Sequence, residues 1–144
     1  TGGADQPDAE EFMTGEDLVI TVEYEIPHTP TSVHVGIILV RNDGVECFGT
    51  GTHISGLKPL SSSGAVRLRL PRIALMSGAY AVSVYLLDEH GLHLYDVRER
   101  EWAFRIVQRH QAVGICYLDH HWEGATAIRP SSADRLERSV GRVG

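Results

Sequence analysis

The sequence predicts an all-β domain: an antiparallel β-sandwich of about eight short strands, with a flexible or short helical C-terminal tail. Three observations point there. Apolar residues recur with a period of two through most of the regular stretches, which is the spacing of a sheet buried on one face. Those stretches are short and end at Gly, Pro and Asp turns. No helical period separates them, so a βαβ arrangement is disfavoured.

Residues 1 to 11 are rich in Gly, Asp and Glu and read as a loop or frayed start, with Met13 to Asp17 as a turn. In Leu18 to Ile26, Leu18, Ile20, Val22, Tyr24 and Ile26 share one face, while Thr21, Glu23 and Glu25 share the other. This strand should be packed on one side and wet on the other. Pro27 and Pro30 end it, because proline has no amide to give a ladder. Val33 to Val40 follows with Val33, Val35, Ile37 and Leu39 inward, leaving His34, Gly36, Ile38 and Val40 on its other face. Asn42-Asp43-Gly44 is a turn signal, and Val45 to Thr50 should return as its hairpin partner.

Residues 51 to 63 carry no period and read as a loop of the kind that often holds binding groups. Val66, Leu68 and Leu70 alternate with Arg67 and Arg69. Leu75 to Gly78 then bends into Ala79 to Asp88, where Tyr80, Val82, Val84 and Leu86 point inward. Glu89-His90-Gly91 turns the chain into Leu92 to Val97, Trp102 to Ile106 marks another strand, and Val113 to Leu118 the last. The domain is expected over residues 10–123. In the tail, residues 124–144, Ser131 could cap a short helix with Asp134 at its third position and only Leu136 and Val140 as anchors.

Composition limits the function. Hydrophobic residues make up 42% of the chain, enough for a core. The longest aliphatic run, Val35 to Val40, is too short to span a bilayer as a helix. A formal charge of −6 argues against a nucleic-acid surface, which needs clustered cations. Two small arginine groups, Arg67/Arg69/Arg72 and Arg98/Arg100, are either solvated strand and loop charge or the seat of an anionic group. Cys47 and Cys116 lie far apart and should be reduced and separate. The chain opens at Thr1 with no signal-peptide pattern and reads as a segment of a longer protein.

The eight histidines include the adjacent pair His120 and His121, which would point to opposite faces of a strand and so could not easily share an ion. Neither a metal-binding spacing, a nucleophile elbow nor a phosphate loop occurs. The expectation is therefore a binding domain, not an enzyme, with no metal or other cofactor. What remains is a face. Ser83 and Tyr85 lie opposite the buried set of their strand, and His34, His93 and Tyr95 are placed to join them. Aromatic rings with hydroxyl and imidazole groups suit a sugar, whose C–H patches stack and whose hydroxyls hydrogen-bond. The alternative is that Tyr85 and Tyr95 pack under a loop or against a second subunit.

An ordered set of segments resembles a known family. These are Phe12-Met13-Thr14-Gly15-Glu16, the strand Leu18 to Tyr24, Val35-Gly36-Ile37, Gly44, and Phe48-Gly49-Thr50-Gly51-Thr52. Leu75 to Tyr80, Leu86-Leu87-Asp88, Tyr95-Asp96, Trp102 to Ile106, Gly114 and Trp122 follow in order. Over roughly residues 10 to 123 the chain is similar to the C-terminal domain of Wzt, the nucleotide-binding subunit of the ABC transporter that exports O-antigen polysaccharide. The resemblance implies an immunoglobulin-like sandwich that recognises the lipid-linked polymer or its modified non-reducing end without covalent chemistry. It further implies an upstream ATPase domain in the same polypeptide, a membrane permease partner, and a homodimer that can exchange a C-terminal strand. The compartment would be the cytoplasmic face of the bacterial inner membrane, with the domain peripheral to it. Two departures stand out. Residues 1 to 9 lack the alternation of the strand expected before Phe12, and Gly51 stands where such chains often have asparagine.

Overall fold

The computed structural model describes residues 10–26 and 31–126. Its strands are β1 (Glu10–Met13), β2 (Leu18–Tyr24), β3 (Val33–Arg41), β4 (Glu46–Gly51), β5 (Gly64–Leu70), β6 (Gly78–Asp88) and β7 (Leu94–Val107). They form a five-stranded sheet in the order β1-β7-β6-β3-β4 and a two-stranded sheet of β2 and β5.

The period-two residues build the space between the sheets. Leu18, Ile20 and Val22 of β2 meet Val35, Ile37 and Leu39 of β3, Tyr80 and Val82 of β6, and Phe104 and Ile106 of β7. Trp102 stacks on Phe104 with centroids 5.3 Å apart, and Tyr80 stacks on the same ring at 5.6 Å. Phe12 closes the group edge-on to both Trp102 and Phe104, which ties β1 to the core. The Tyr80 hydroxyl donates to the Met76 carbonyl at 2.7 Å, the arrangement of a tyrosine corner at the start of a sandwich strand.

The two-sheet, all-β reading holds, and several finer expectations do not. Seven strands are present among the described residues, against the eight expected. The stretches expected as Leu92 to Val97 and Trp102 to Ile106 are parts of one strand, β7, which begins at Leu94, because the irregularity between them is a bulge and not a turn. Val113 to Leu118 forms no strand; a bridge between Leu75 and Cys116 ties it to the segment before β6. Glu10 to Met13, expected as part of a frayed start and turn, is a strand instead. It pairs in parallel with β7, Glu10 opposite Phe104, so the larger sheet is mixed and not wholly antiparallel. Acidic Glu10 and Glu11 at a sheet edge mask any alternation, and the partly buried Phe12 supplies the anchor to the core. The tail helix expected after Ser131 lies outside the described residues. Among the described residues no helix is long and apolar enough to cross a membrane.

Candidate functional site

Directly paired residues of neighbouring strands share a face, so the register defines the outer surface of the five-stranded sheet. Gly51, Gly36, Tyr85 and Val97 form one row across β4, β3, β6 and β7. Below them lie His34, Leu87 and Leu94; above them lie Gly49, Ile38 and Ser83. Gly36 adjoins Tyr85 in the middle row, and both Gly36 and Gly51 are buried. A Cβ on Gly36 would make only ordinary contacts, 3.5 Å from Leu87 Cδ1 and 3.6 Å from Tyr85 Cβ.

A bulge of β7 lies over one end of this face. The ladder passes from Val82↔Trp102 to Val84↔Arg98, so Glu99, Arg100 and Glu101 stand opposite Ser83 alone. Ser83 is only 3% exposed, and its hydroxyl accepts the Arg100 amide at 3.0 Å. Arg100 itself takes a left-handed backbone with φ 51°. At the nearby β3–β4 turn, Gly44 has φ 92° and Arg41 binds Asp43 through Nε and Nη2 at 2.9 and 2.8 Å. That guanidinium holds the Asp43 carboxyl at a pKa of about 2.

A histidine pair closes the other end. His34 Nδ1 lies 2.7 Å from Thr52 Oγ1, which also accepts the Val35 amide at 3.1 Å. The hydroxyl proton of Thr52 is thus free to serve Nδ1 of a neutral His34. Burial, then the neighbouring His53, lowers the His34 pKa against opposing contributions from the Glu89 backbone and Asp88. The His53 ring fills the space beside Gly51 and Gly91: a Cβ at either position would lie 2.6 Å from it. Asp88 secures the β6–β7 turn by accepting the amides of His90, Leu92 and His93 at 3.2, 2.8 and 3.3 Å. Those bonds, with Leu92 first, lower its pKa.

His34, Ser83 and Tyr85 therefore come together on one face. His34 and Ser83 are buried and hydrogen-bonded within the fold, whereas Tyr85 is half-buried on the surface. His93 is exposed in the turn. Tyr95 lines a different space, the cleft between the two sheets. The glycine row and Arg100 were absent from the expected site. Glycines inside strands were the readable signal for the row; nothing in the local sequence marks the bulge that turns Arg100.

The cleft has a volume of about 1550 Å³ and arises because two strands cannot cover five. Tyr24, Tyr95, Trp102, Asp96, Arg98 and Glu101 are among its lining. Residues 19–26 border it consecutively, so β2 presents its edge to the cleft, and among the described residues β2 pairs only with β5. Farther along the chain Val113, Ile115, Leu118 and Trp122 are exposed, Trp122 by 83%.

Among the described residues no group of three or more His, Cys, Asp or Glu side chains is placed to hold a metal ion. A search of the curated proteins finds no match. The crystal structure of the C-terminal domain of Wzt is similar in fold, with a TM-score of 0.58 at 18% identity, over 81% of this chain and 73% of that one. The model of the Wzt C-terminal domain family matches residues 3–118, most of the sequence. The chain belongs to the Wzt C-terminal domain family.

Proposed function

We propose that this domain holds a lipid-linked O-antigen polysaccharide on the outer face of its five-stranded sheet for export by an ABC transporter. As a Wzt C-terminal domain it is a non-catalytic carbohydrate-recognition domain. The observation that supports this face is Tyr85, half-buried in its middle row between the rows of the hydrogen-bonded His34 and Ser83. A sugar ring can pack its C–H patch against Tyr85, the half-buried aromatic of this face. His34 and Ser83 act by shaping the two ends of the face, and His93 marks the end near the β6–β7 turn where a longer polymer would leave it; Tyr95 faces the cleft instead.

The test is calorimetric titration with the O-polysaccharide of the source bacterium, intact and with its non-reducing end removed. Binding lost on trimming indicates end recognition; binding retained indicates recognition along the chain. Tyr85→Ala should weaken binding about tenfold or more while the unfolding midpoint changes little, since stacked aromatic contacts are commonly worth a kcal/mol or more. Unchanged affinity in the folded variant removes this face from consideration.

The cleft favours a second reading, assembly, alongside the first. An open strand edge above an apolar floor suits an added strand, and the exposed residues Val113 to Trp122 suit a buried one. We assign the cleft to a homodimer contact through the C-terminal segment, with an upstream ATPase domain and a membrane permease as further partners. The setting is the cytoplasmic face of the inner membrane. Sedimentation over a range of concentrations tests the dimer.

A further inference from the structure

Given that the outer face binds the glycan, we propose that Arg100 reads an anionic substituent on it, a carboxylate or phosphate group taken by the guanidinium. Three features of Arg100 support this. Its backbone is left-handed at φ 51°, a conformation that glycine adopts freely and a side-chain-bearing residue does not. The bulge that imposes it is anchored from below by the buried Ser83 hydroxyl. The side chain then leaves β7 and reaches toward the β3–β4 turn, where Nη2 lies 3.8 Å from the position of a Cβ on Gly44. Since β6 and β3 lie between β7 and that turn, the guanidinium is carried across the sheet.

Among the described residues Arg100 makes no ion pair. Asp43, in the same turn as Gly44, is already held by Arg41 through two hydrogen bonds. Arg98 provides the contrast: it lines the cleft between the sheets and pairs with Asp96 at 3.1 Å. One arginine of the Arg98/Arg100 group is thus matched within the fold, and the other is projected over the glycan face. A planar fork of N–H donors fits a carboxylate or phosphate through two parallel hydrogen bonds. The chain as a whole is acidic, at −6, so anion capture depends on this local arrangement.

The experiment is a chemical-shift titration of the isotope-labelled domain with three probes on one sugar: a neutral methyl glucoside, methyl glucuronoside and the corresponding sugar phosphate. The anionic probes should bind about tenfold more tightly than the neutral one, the increment of a charge-assisted hydrogen bond, and should shift Gly44 and Arg100. Whichever anionic probe binds more tightly identifies the carboxylate or the phosphate as the source. Arg100→Gly suits the left-handed backbone, so its unfolding midpoint should be equal or higher while the preference for anionic probes disappears. A lowered midpoint with the preference retained would show a structural role and overturn the proposal. So would inorganic phosphate binding as tightly as the sugar phosphate, since no glycan contact would then be involved. If neutral and anionic probes bind alike and Tyr85→Ala weakens both, the Arg100 assignment falls and the glycan face stands. If neither the probes nor the native polymer binds the folded domain, the glycan face itself falls.

Discussion

The Tyr80 hydroxyl donates to the carbonyl of Met76, four residues earlier, at 2.7 Å inside the core. Burial raises the Tyr80 pKa, so the group remains a donor throughout the neutral range. Tyr80→Phe keeps the stack on Phe104 and leaves the Met76 carbonyl without this donor. The expected cost is about 1 to 2 kcal/mol, the usual loss for a buried hydrogen bond. Equilibrium urea unfolding should show a lower midpoint with an unchanged m-value.

The His53 ring makes Gly51 and Gly91 obligatory in the native arrangement. A methyl group at either would sit 2.6 Å from that ring, and Gly91 also has φ 72°. Gly51→Ala should therefore destabilise by about 1 to 3 kcal/mol through overpacking. In a His53→Ala background the same change should cost less, leaving only the Val35 carbonyl 3.2 Å from the new methyl. A double-mutant cycle by denaturant unfolding measures the difference. An equal cost in both backgrounds would mean that His53 is not what excludes the methyl.

Stability should fall with acid in two windows. The folded pKa of His34 is lowered from the ordinary 6.5, so the unfolded chain takes up that proton first. Its contribution is complete above 6.5, declines as pH falls through 6.5 toward the lowered folded value, and changes no further below it. Asp88 and Asp43 act lower: their folded pKa values lie below 3.8, so the stability they supply is present above 3.8 and lost as pH falls toward the folded values. Unfolding midpoints measured across pH should show both declines. His34→Gln should abolish the upper one and leave the lower.

Much of this architecture was legible because side-chain alternation reports one-sided burial directly. Leu18, Ile20, Val22, Val35, Ile37, Leu39, Tyr80 and Val82 all point into the core as their spacing indicates. Pairing partners and irregularities were less visible. The β1–β7 contact joins residues distant in sequence, with acidic side chains on an edge. The β7 bulge depends on Ser83 lying opposite Arg100, a relationship set by register and not by neighbouring sequence. The same cause divides Tyr85 from Tyr95. The register passes from Leu86↔Asp96 to Leu87↔Leu94, skipping Tyr95, which lines the cleft. Alternation counted along one strand does not survive a skipped residue in the next.

The exposed segment after β7 allows assembly to be tested without disturbing the folded protomer. Ile115 and Leu118 are 60% and 72% exposed, so aspartate at both positions removes little packing within one chain. In a dimer where this segment covers the β2 edge, the same substitutions would take two carboxylates into the contact and forfeit two apolar anchors. Each anchor is worth about 1.5 to 3 kcal/mol when fully buried, so the dimer dissociation constant should rise by about two orders of magnitude or more. Sedimentation equilibrium of the wild type and of the Ile115→Asp, Leu118→Asp double variant measures this, with circular dichroism to confirm that the β-structure is retained. If the folded double variant dimerises as tightly as the wild type, the segment is not the dimer contact. If the wild type remains monomeric at every concentration, the cleft must be completed in some other way, and the proposed upstream ATPase domain becomes the partner to test.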